Sequence, residues 1–142
     1  MKTLKVKRLS PNAILPKRVT SGSAGLDLYC SKKIAISTES TSLVETGWAV
    51  EIPEGYFGLI KIKSGFATHF NVTENAGVID SDYRGELKVA IANVSSSPLK
   101  IERGESFAQL LILPCEFMVC EEVETLSETK RGVKGFGQAS KE

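Results

Sequence analysis

The chain has 142 residues, 42% of them hydrophobic, with 18 Lys plus Arg against 17 Asp plus Glu and a formal net charge of +1. That length and apolar content suit one domain around a single core and argue against a second. The near-balance of charge supplies no field for general attraction to nucleic acid or a membrane surface, so neither is an expected partner and any anion must be held by local groups. No charged-then-apolar leader opens the sequence and no apolar run approaches membrane-spanning length, so a soluble, non-secreted protein is expected. Cys30, Cys115 and Cys120 are odd in number and lie in apolar or strand-like surroundings, which points to reduced thiols in cytoplasm or nucleus. A zinc site would lack its second Cys or His pair, and His69, the only histidine, has no motif partner.

Taken in order, Leu4 to Leu9 alternates apolar and basic residues in the manner of an edge strand, and Pro11 and Pro16 bracket an extended segment around Ala13-Ile14-Leu15. The small, flexible stretch from Ser21 to Gly25 runs into Leu26-Asp27-Leu28-Tyr29, where an acid interrupts an apolar strand. Strict alternation would put Asp27 on a wet face, the bland alternative to a functional role. Ile34 to Ile36, Ser42 to Ile52 and Tyr56 to Ile62 are further strand-like runs of period two. Lys63-Ser64-Gly65-Phe66-Ala67-Thr68 then sets a basic residue beside small ones, where an ammonium, a hydroxyl and backbone N–H groups can converge on phosphate. Such tripeptides are common, so this signal alone is weak.

Ala76 to Ile91 concentrates the chemistry. Val78-Ile79 is a short β-branched run, Asp80, Ser81 and Asp82 crowd polar groups beside Tyr83, and Gly85 precedes the alternating Leu87 to Ile91. The pattern reads as a β-hairpin whose bend faces a ligand, because acids and a ring hydroxyl are costly to desolvate unless something binds them. The alternative is a solvated turn, since Asp and Gly are ordinary turn residues.

Leu99 to Ile101 is a short strand, and Phe107 to Leu113 is the longest apolar run, read as a strand buried on both faces with Gln109 as its only polar member. Phe117 to Val123 reads as one more strand, and no window longer than about ten residues carries a helical stripe. Around a dozen short strands at this spacing point to an all-β sandwich or jelly-roll barrel. The tail from Thr125 differs in kind: Lys130, Arg131 and Lys134 supply charge, Gly132, Gly135 and Gly137 leave the backbone free to wrap an anion, and Phe136 offers a flat apolar face. It reads as a lid, against the alternative of a disordered terminus.

Five stretches resemble, in order, the five motifs of the trimeric dUTP nucleotidohydrolases: AGLDLY at 24 to 29, KSGFA at 63 to 67, AGVIDSDYRG at 76 to 85, RGESFAQL at 103 to 110 and RGVKGFG at 131 to 137. The resemblance spans nearly the whole chain. It implies an all-β, distorted jelly-roll β-barrel at residues 1–124, a flexible C-terminal arm at 125–142, and a homotrimer with three shared active sites. It implies hydrolysis of dUTP to dUMP and pyrophosphate with magnesium, which keeps uracil out of DNA and supplies dUMP for dTMP synthesis. By position, Asp80 matches the acid that activates the attacking water and Tyr83 the ring beneath the deoxyribose. Asp27 matches an acid reaching the Mg2+ through water, the ion being held mainly by the triphosphate. Lys63, Ser64, Gly65 and Gln109 fall at phosphate-contacting positions. Asn75, Ala76, Gly77 and Val78 form the turn of the uracil slot, and Arg131, Phe136 and Gly137 belong to the closing arm.

Three departures stand out. The family usually has Pro-Arg-Ser where this chain has Ile62-Lys63-Ser64, an Arg where Ser106 stands, and Ser-Thr-Gly where Gln138-Ala139-Ser140 follows the arm's GFG. Lysine keeps the charge of arginine and loses its bidentate geometry. These departures motivate a second reading, a nucleotide-binding or protein-interaction module on the same fold with weak or absent catalysis. A third, the related dCTP deaminase, lacks its expected embedded glutamate in Glu86 to Ala90. Asp82 has no role from the resemblance and is expected to pair with a nearby basic group, Arg84 or one from another subunit.

Overall fold

A computed structural model describes residues 2–70, 72–75 and 77–138. Among them are ten strands and one short helix. The strands form two four-stranded sheets, ordered β1-β4-β8-β6 and β2-β10-β5-β7, and a two-stranded pair, β3-β9. The first sheet contains β1 (Lys5–Arg8), β4 (Ser40–Glu51), β6 (Val72–Asn75) and β8 (Glu86–Asn93). The second contains β2 (Leu26–Tyr29), β5 (Tyr56–Ile62), β7 (Val78–Ile79) and β10 (Ser106–Pro114). β3 (Ile34–Ile36) and β9 (Leu99–Ile101) complete the set.

Period-two patterning explains which faces meet. Along β8, Leu87, Val89, Ile91 and Asn93 are buried while Lys88 is exposed, so the sequence ELKVAIAN turns one face inward. Leu87, Val89 and Ile91 pack with Leu28, Val44, Ile60, Phe107 and Leu110 in one continuous core. Asn93, fully buried, is satisfied on both ends: its Nδ2 donates to the carbonyls of Ile36 and Ser97 at 3.0 and 2.9 Å, and its Oδ1 accepts from Ser95 N–H at 3.0 Å. Such an amide costs little and fixes the β8 end against β3. At Gly47, φ is 77° and a Cβ would meet that of Ala13 at 2.7 Å, so the bulge in β4 needs glycine for backbone and space alike.

Three sequence expectations are corrected. Val78-Ile79 and Leu87–Ile91 are not the arms of a hairpin: β7 pairs with β5 in one sheet, β8 with β4 and β6 in the other, and the Asp80–Gly85 turn passes between sheets. Alternation marks both as strands and is silent about partners. Phe117–Val123 forms no strand, and Phe117, Met118 and Val119 are exposed, because β-propensity without a neighbouring strand orders nothing. β10 is not buried on both faces: Ala108 and Leu110 on one are buried, whereas Gln109, Leu111 and Leu113 on the other are half-buried. The KSGFA stretch begins α1 (Ser64–Phe70), too short to leave a periodic stripe, with Ser64 and Gly65 exposed at its start.

Candidate active site

β10 lies between β2 and β5, and its register puts Gln109 opposite both Asp27 and Lys61. Cross-strand partners point to the same face, so the motif acid, the amide and the end of β5 gather on the outer side of this sheet. Asp27 is only 8% exposed. Its Oδ2 receives Lys63 Nζ at 2.6 Å and the Ser106 hydroxyl at 2.9 Å, and Lys63 Nζ stands 3.2 Å from Ser106 Oγ. The triangle explains how an acid can sit buried in an apolar strand: an ammonium and a hydroxyl replace the water it loses. Both departures from the family pattern in this region, Lys63 and Ser106, meet on this one carboxylate oxygen. The small Ser106 leaves space for the lysine to reach it. Lys63 therefore points at Asp27, and Ser64 and Gly65 are the exposed members of its motif. Gln109 packs over Gly25, where a Cβ would meet its Oε1 at 2.9 Å, so the glycine of AGLDLY makes room for the amide of the fourth motif.

A second group forms where β7 ends. Asp80 is exposed, and its side chain makes no hydrogen bond among the described residues. It opens onto a cleft of about 590 Å³ lined by Ile52, Tyr56, Phe57, Asp82 and Cys115 among others. The turn that follows is held by its own backbone and by Arg84. Tyr83 N–H donates to the Asp80 carbonyl at 3.2 Å, and Arg84 Nη1 donates to the carbonyls of Ser81 and Tyr83 at 2.6 and 3.1 Å. The guanidinium also lies 4.0 Å from Glu51, whose carboxyl is pulled below its ordinary value by the hydrogen bond from Lys5. Arg84 thus pairs with Glu51, so of the two partners expected for Asp82, Arg84 and a basic group of another subunit, the first is taken elsewhere; Asp82 is exposed and has no ion pair among the described residues. Tyr83 hydroxyl donates to the Glu86 carbonyl at 2.8 Å, leaving the ring 42% exposed beside the acid.

The segment before Asp80 is fastened to β5 at two points. Glu74 contacts Lys61 Nζ and accepts Ile62 N–H at 3.2 Å, while Ile60 N–H donates to the Gly77 carbonyl at 2.8 Å. Burial raises the Glu74 carboxyl, but the hydrogen bonds from Lys61 and Ile62 outweigh it and hold it below its ordinary 4.5. A Cβ at Gly77 would meet Ile60 O at 2.5 Å, so this glycine is needed by the neighbouring strand, a reason the sequence did not reveal. Asn75 ends β6, Val78 is exposed, and Ala76 lies outside the described residues. The glutamate and lysine of this fastening went unremarked in the sequence because neither belongs to a motif.

The tail folds into local turns. Arg131 Nε donates to the Lys134 carbonyl at 2.9 Å, Gly132 N–H to Thr129 Oγ1 at 3.0 Å, and Phe136 has a φ of 49° with its ring exposed. Glycine at 137, with φ 85°, continues that left-handed bend. Among the described residues no three His, Cys, Asp or Glu side chains form a group that could hold a metal ion.

The separation of the two carboxylates is instructive. Asp80 follows Ile79, which pairs with Gly58 near the start of β5, whereas Asp27 aligns through Gln109 with Lys61 near its end, three strands away. Strand rise and spacing put the two positions roughly 20 Å apart within one chain. Known proteins give this layout a context. The chain is 44% identical over 135 residues to the deoxyuridine 5'-triphosphate nucleotidohydrolase of Corynebacterium diphtheriae, covering 93% of this chain and 89% of that protein. Its fold matches the dUTPase of Staphylococcus bacteriophage 80alpha with dUPNHPP at a TM-score of 0.92 and 31% identity, over 97% of this chain and 98% of the other. It also matches a variant dUTPase of phage phi11 of S. aureus, described with a structural Mg(II) ion, at a TM-score of 0.81 and 28% identity over 87% and 98%. The dUTPase family model matches residues 11–140. With the motifs, the two-sheet fold and these relatives in agreement over nearly its whole length, the chain belongs to the dUTPase family.

Proposed function

We infer that this protein hydrolyses dUTP to dUMP and pyrophosphate. The observation that carries the reading is the exposed Asp80 carboxylate, without a hydrogen bond among the described residues, on a turn fixed by Arg84 that also carries the tethered ring of Tyr83. A water held by Asp80 gives it a proton while its oxygen attacks the α-phosphorus, and the bond to the bridging oxygen breaks to release pyrophosphate. Tyr83 lies under the deoxyribose and leaves no room for a 2′-hydroxyl. Asn75, Ala76, Gly77 and Val78 read uracil through backbone groups, where unpaired donors and acceptors reject cytosine. Ser64, Gly65 and Gln109 contact the phosphates, and Lys63 serves that end by holding Asp27. With no group of three acids among the described residues to cage it, magnesium fits this chain as a cation that the triphosphate would carry, Asp27 being the residue that would meet its water shell; it would supply neutralisation of phosphate charge.

The distance between Asp27 and Asp80 supports a site shared between copies, because two groups serving adjacent phosphates cannot lie roughly 20 Å apart. A homotrimer supplies Asp80 from one copy and Asp27 from another. Residues 1–124 form the barrel, and 125–142 the arm whose Arg131, Phe136 and Gly137 close over the nucleotide. Three free cysteines suit a reducing compartment, cytoplasm or nucleus; no helix of the described residues is long and apolar enough to cross a membrane. Pyrophosphate release measured with dUTP, dTTP, dCTP and UTP in the presence of magnesium tests the reading. Turnover confined to dUTP is expected, and absence of turnover with dUTP would refute it. Sedimentation at the mass of a monomer would remove the shared site.

A further inference from the structure

The turn after Asp80 contains a glycine whose need is not explained by its backbone. Gly85 does not adopt the left-handed φ that marks Gly47, Gly55, Gly104, Gly132 and Gly137, so an alanine there meets no torsional penalty. The obstacle lies in space: a Cβ would stand 2.5 Å from Tyr83 Oη, 2.6 Å from Cζ and 2.8 Å from Cε1. All three contacts belong to one side chain. The ring lies folded back over Gly85 and is anchored beyond it, its hydroxyl donating to the Glu86 carbonyl at 2.8 Å. Arg84 fixes the near end by binding the carbonyls of Ser81 and Tyr83. The ring is therefore held at its root by Arg84, at its tip by Glu86, and rests on the bare Cα of Gly85.

We propose that Gly85 is a positioning residue for sugar selection: its missing side chain lets the Tyr83 ring lie flat at the depth that excludes a 2′-hydroxyl. This rests on the reading of Tyr83 as the surface beneath the deoxyribose. An added methyl at 85 displaces the ring from its tether, since a rigid aromatic cannot bend around it. The space for a ribose is then set by wherever the ring settles. The Asp80 carboxylate takes part in none of the hydrogen bonds that anchor the ring.

The test compares kcat/KM for dUTP and UTP in the wild type, Gly85→Ala, Tyr83→Ala and Tyr83→Phe, with magnesium. The ratio is the readout, because loss of folded protein lowers both substrates alike and leaves it unchanged. Excluding one hydroxyl by shape is worth about 100-fold, so Gly85→Ala should lower the ratio about tenfold. Tyr83→Phe, which keeps the ring and frees its tip, should lower it by less. A drop with Tyr83→Ala and none with Gly85→Ala overturns the proposal and leaves the reading of Tyr83 standing. No drop with Tyr83→Ala overturns both. Should Gly85→Ala yield no soluble protein, an unchanged ratio in Tyr83→Phe overturns the tether on which the proposal depends.

Discussion

The two carboxylates singled out by the motifs live in opposite conditions. Asp27 is buried in a strand, with both the Lys63 ammonium and the Ser106 hydroxyl on one oxygen. Asp80 is exposed on a turn, with no side-chain partner among the described residues, and order there comes from Arg84 bonding backbone carbonyls. At Asp27 the side chain is part of the stability of the fold; at Asp80 the fold holds the backbone and leaves the side chain available. The proposed roles follow that contrast: the acid proposed to take a proton is the available one, and the acid proposed to meet an ion's water shell is the one held by the fold.

This contrast can be broken most forcefully at Asp80. Replacing it by asparagine should lower kcat about 1,000-fold while the melting temperature stays within a degree or so of wild type, since no partner is lost. Steady-state kinetics beside thermal unfolding check both halves, and a large loss of stability would contradict the picture of an unbonded side chain. At the other acid the expected effects are reversed in kind. Lys63→Met strands a buried carboxylate on a single hydroxyl and should cost about 2 kcal/mol, less than for a fully buried pair because the lysine is over a third exposed on its side chain. That corresponds to a fall of about 5–10 °C in melting temperature. An unchanged melting temperature would mean the triangle contributes nothing.

The smallest effect concerns the fastening of β6 to β5. Glu74 has its carboxyl depressed below 4.5 in the folded chain, so its contribution to stability is complete above that value and is lost as pH falls through the lower, folded one. Glu74→Gln should lower the melting temperature by about 3 °C at neutral pH. The gap from wild type should narrow as the pH drops below 4.5, and calorimetry across an acid series would show it. A gap that widens in acid would reverse the assigned sign.

Strand positions were legible because alternation is written residue by residue: Tyr56–Ile62 was delimited to the residue, and Leu26–Tyr29, Ile34–Ile36 and Leu99–Ile101 match as well. The motif residues were legible for a different reason, their order and spacing matching a known family. Pairing was not legible. Val78-Ile79 and Leu87–Ile91 are neighbours in sequence yet belong to different sheets, because partner choice depends on which distant strand offers a free edge and a matching buried face.

The sequence by itself determined the all-β class, the inward faces of the strands and the identity of the acids, since these follow from local patterning and residue type. Only the tertiary structure decided what each acid does with its surroundings. Lys63 bonds to Asp27, a contact its motif did not announce, and Arg84, one of two partners offered to Asp82, takes Glu51 and two carbonyls. Gly77 and Gly85 look alike as turn residues, yet one admits a neighbouring strand and the other an aromatic ring. Burial, partner and space at Asp27 and Gly77 are set by strands far apart in the chain that meet in one sheet, and at Gly85 by a local turn that folds its own aromatic ring back; neither is written in residue type.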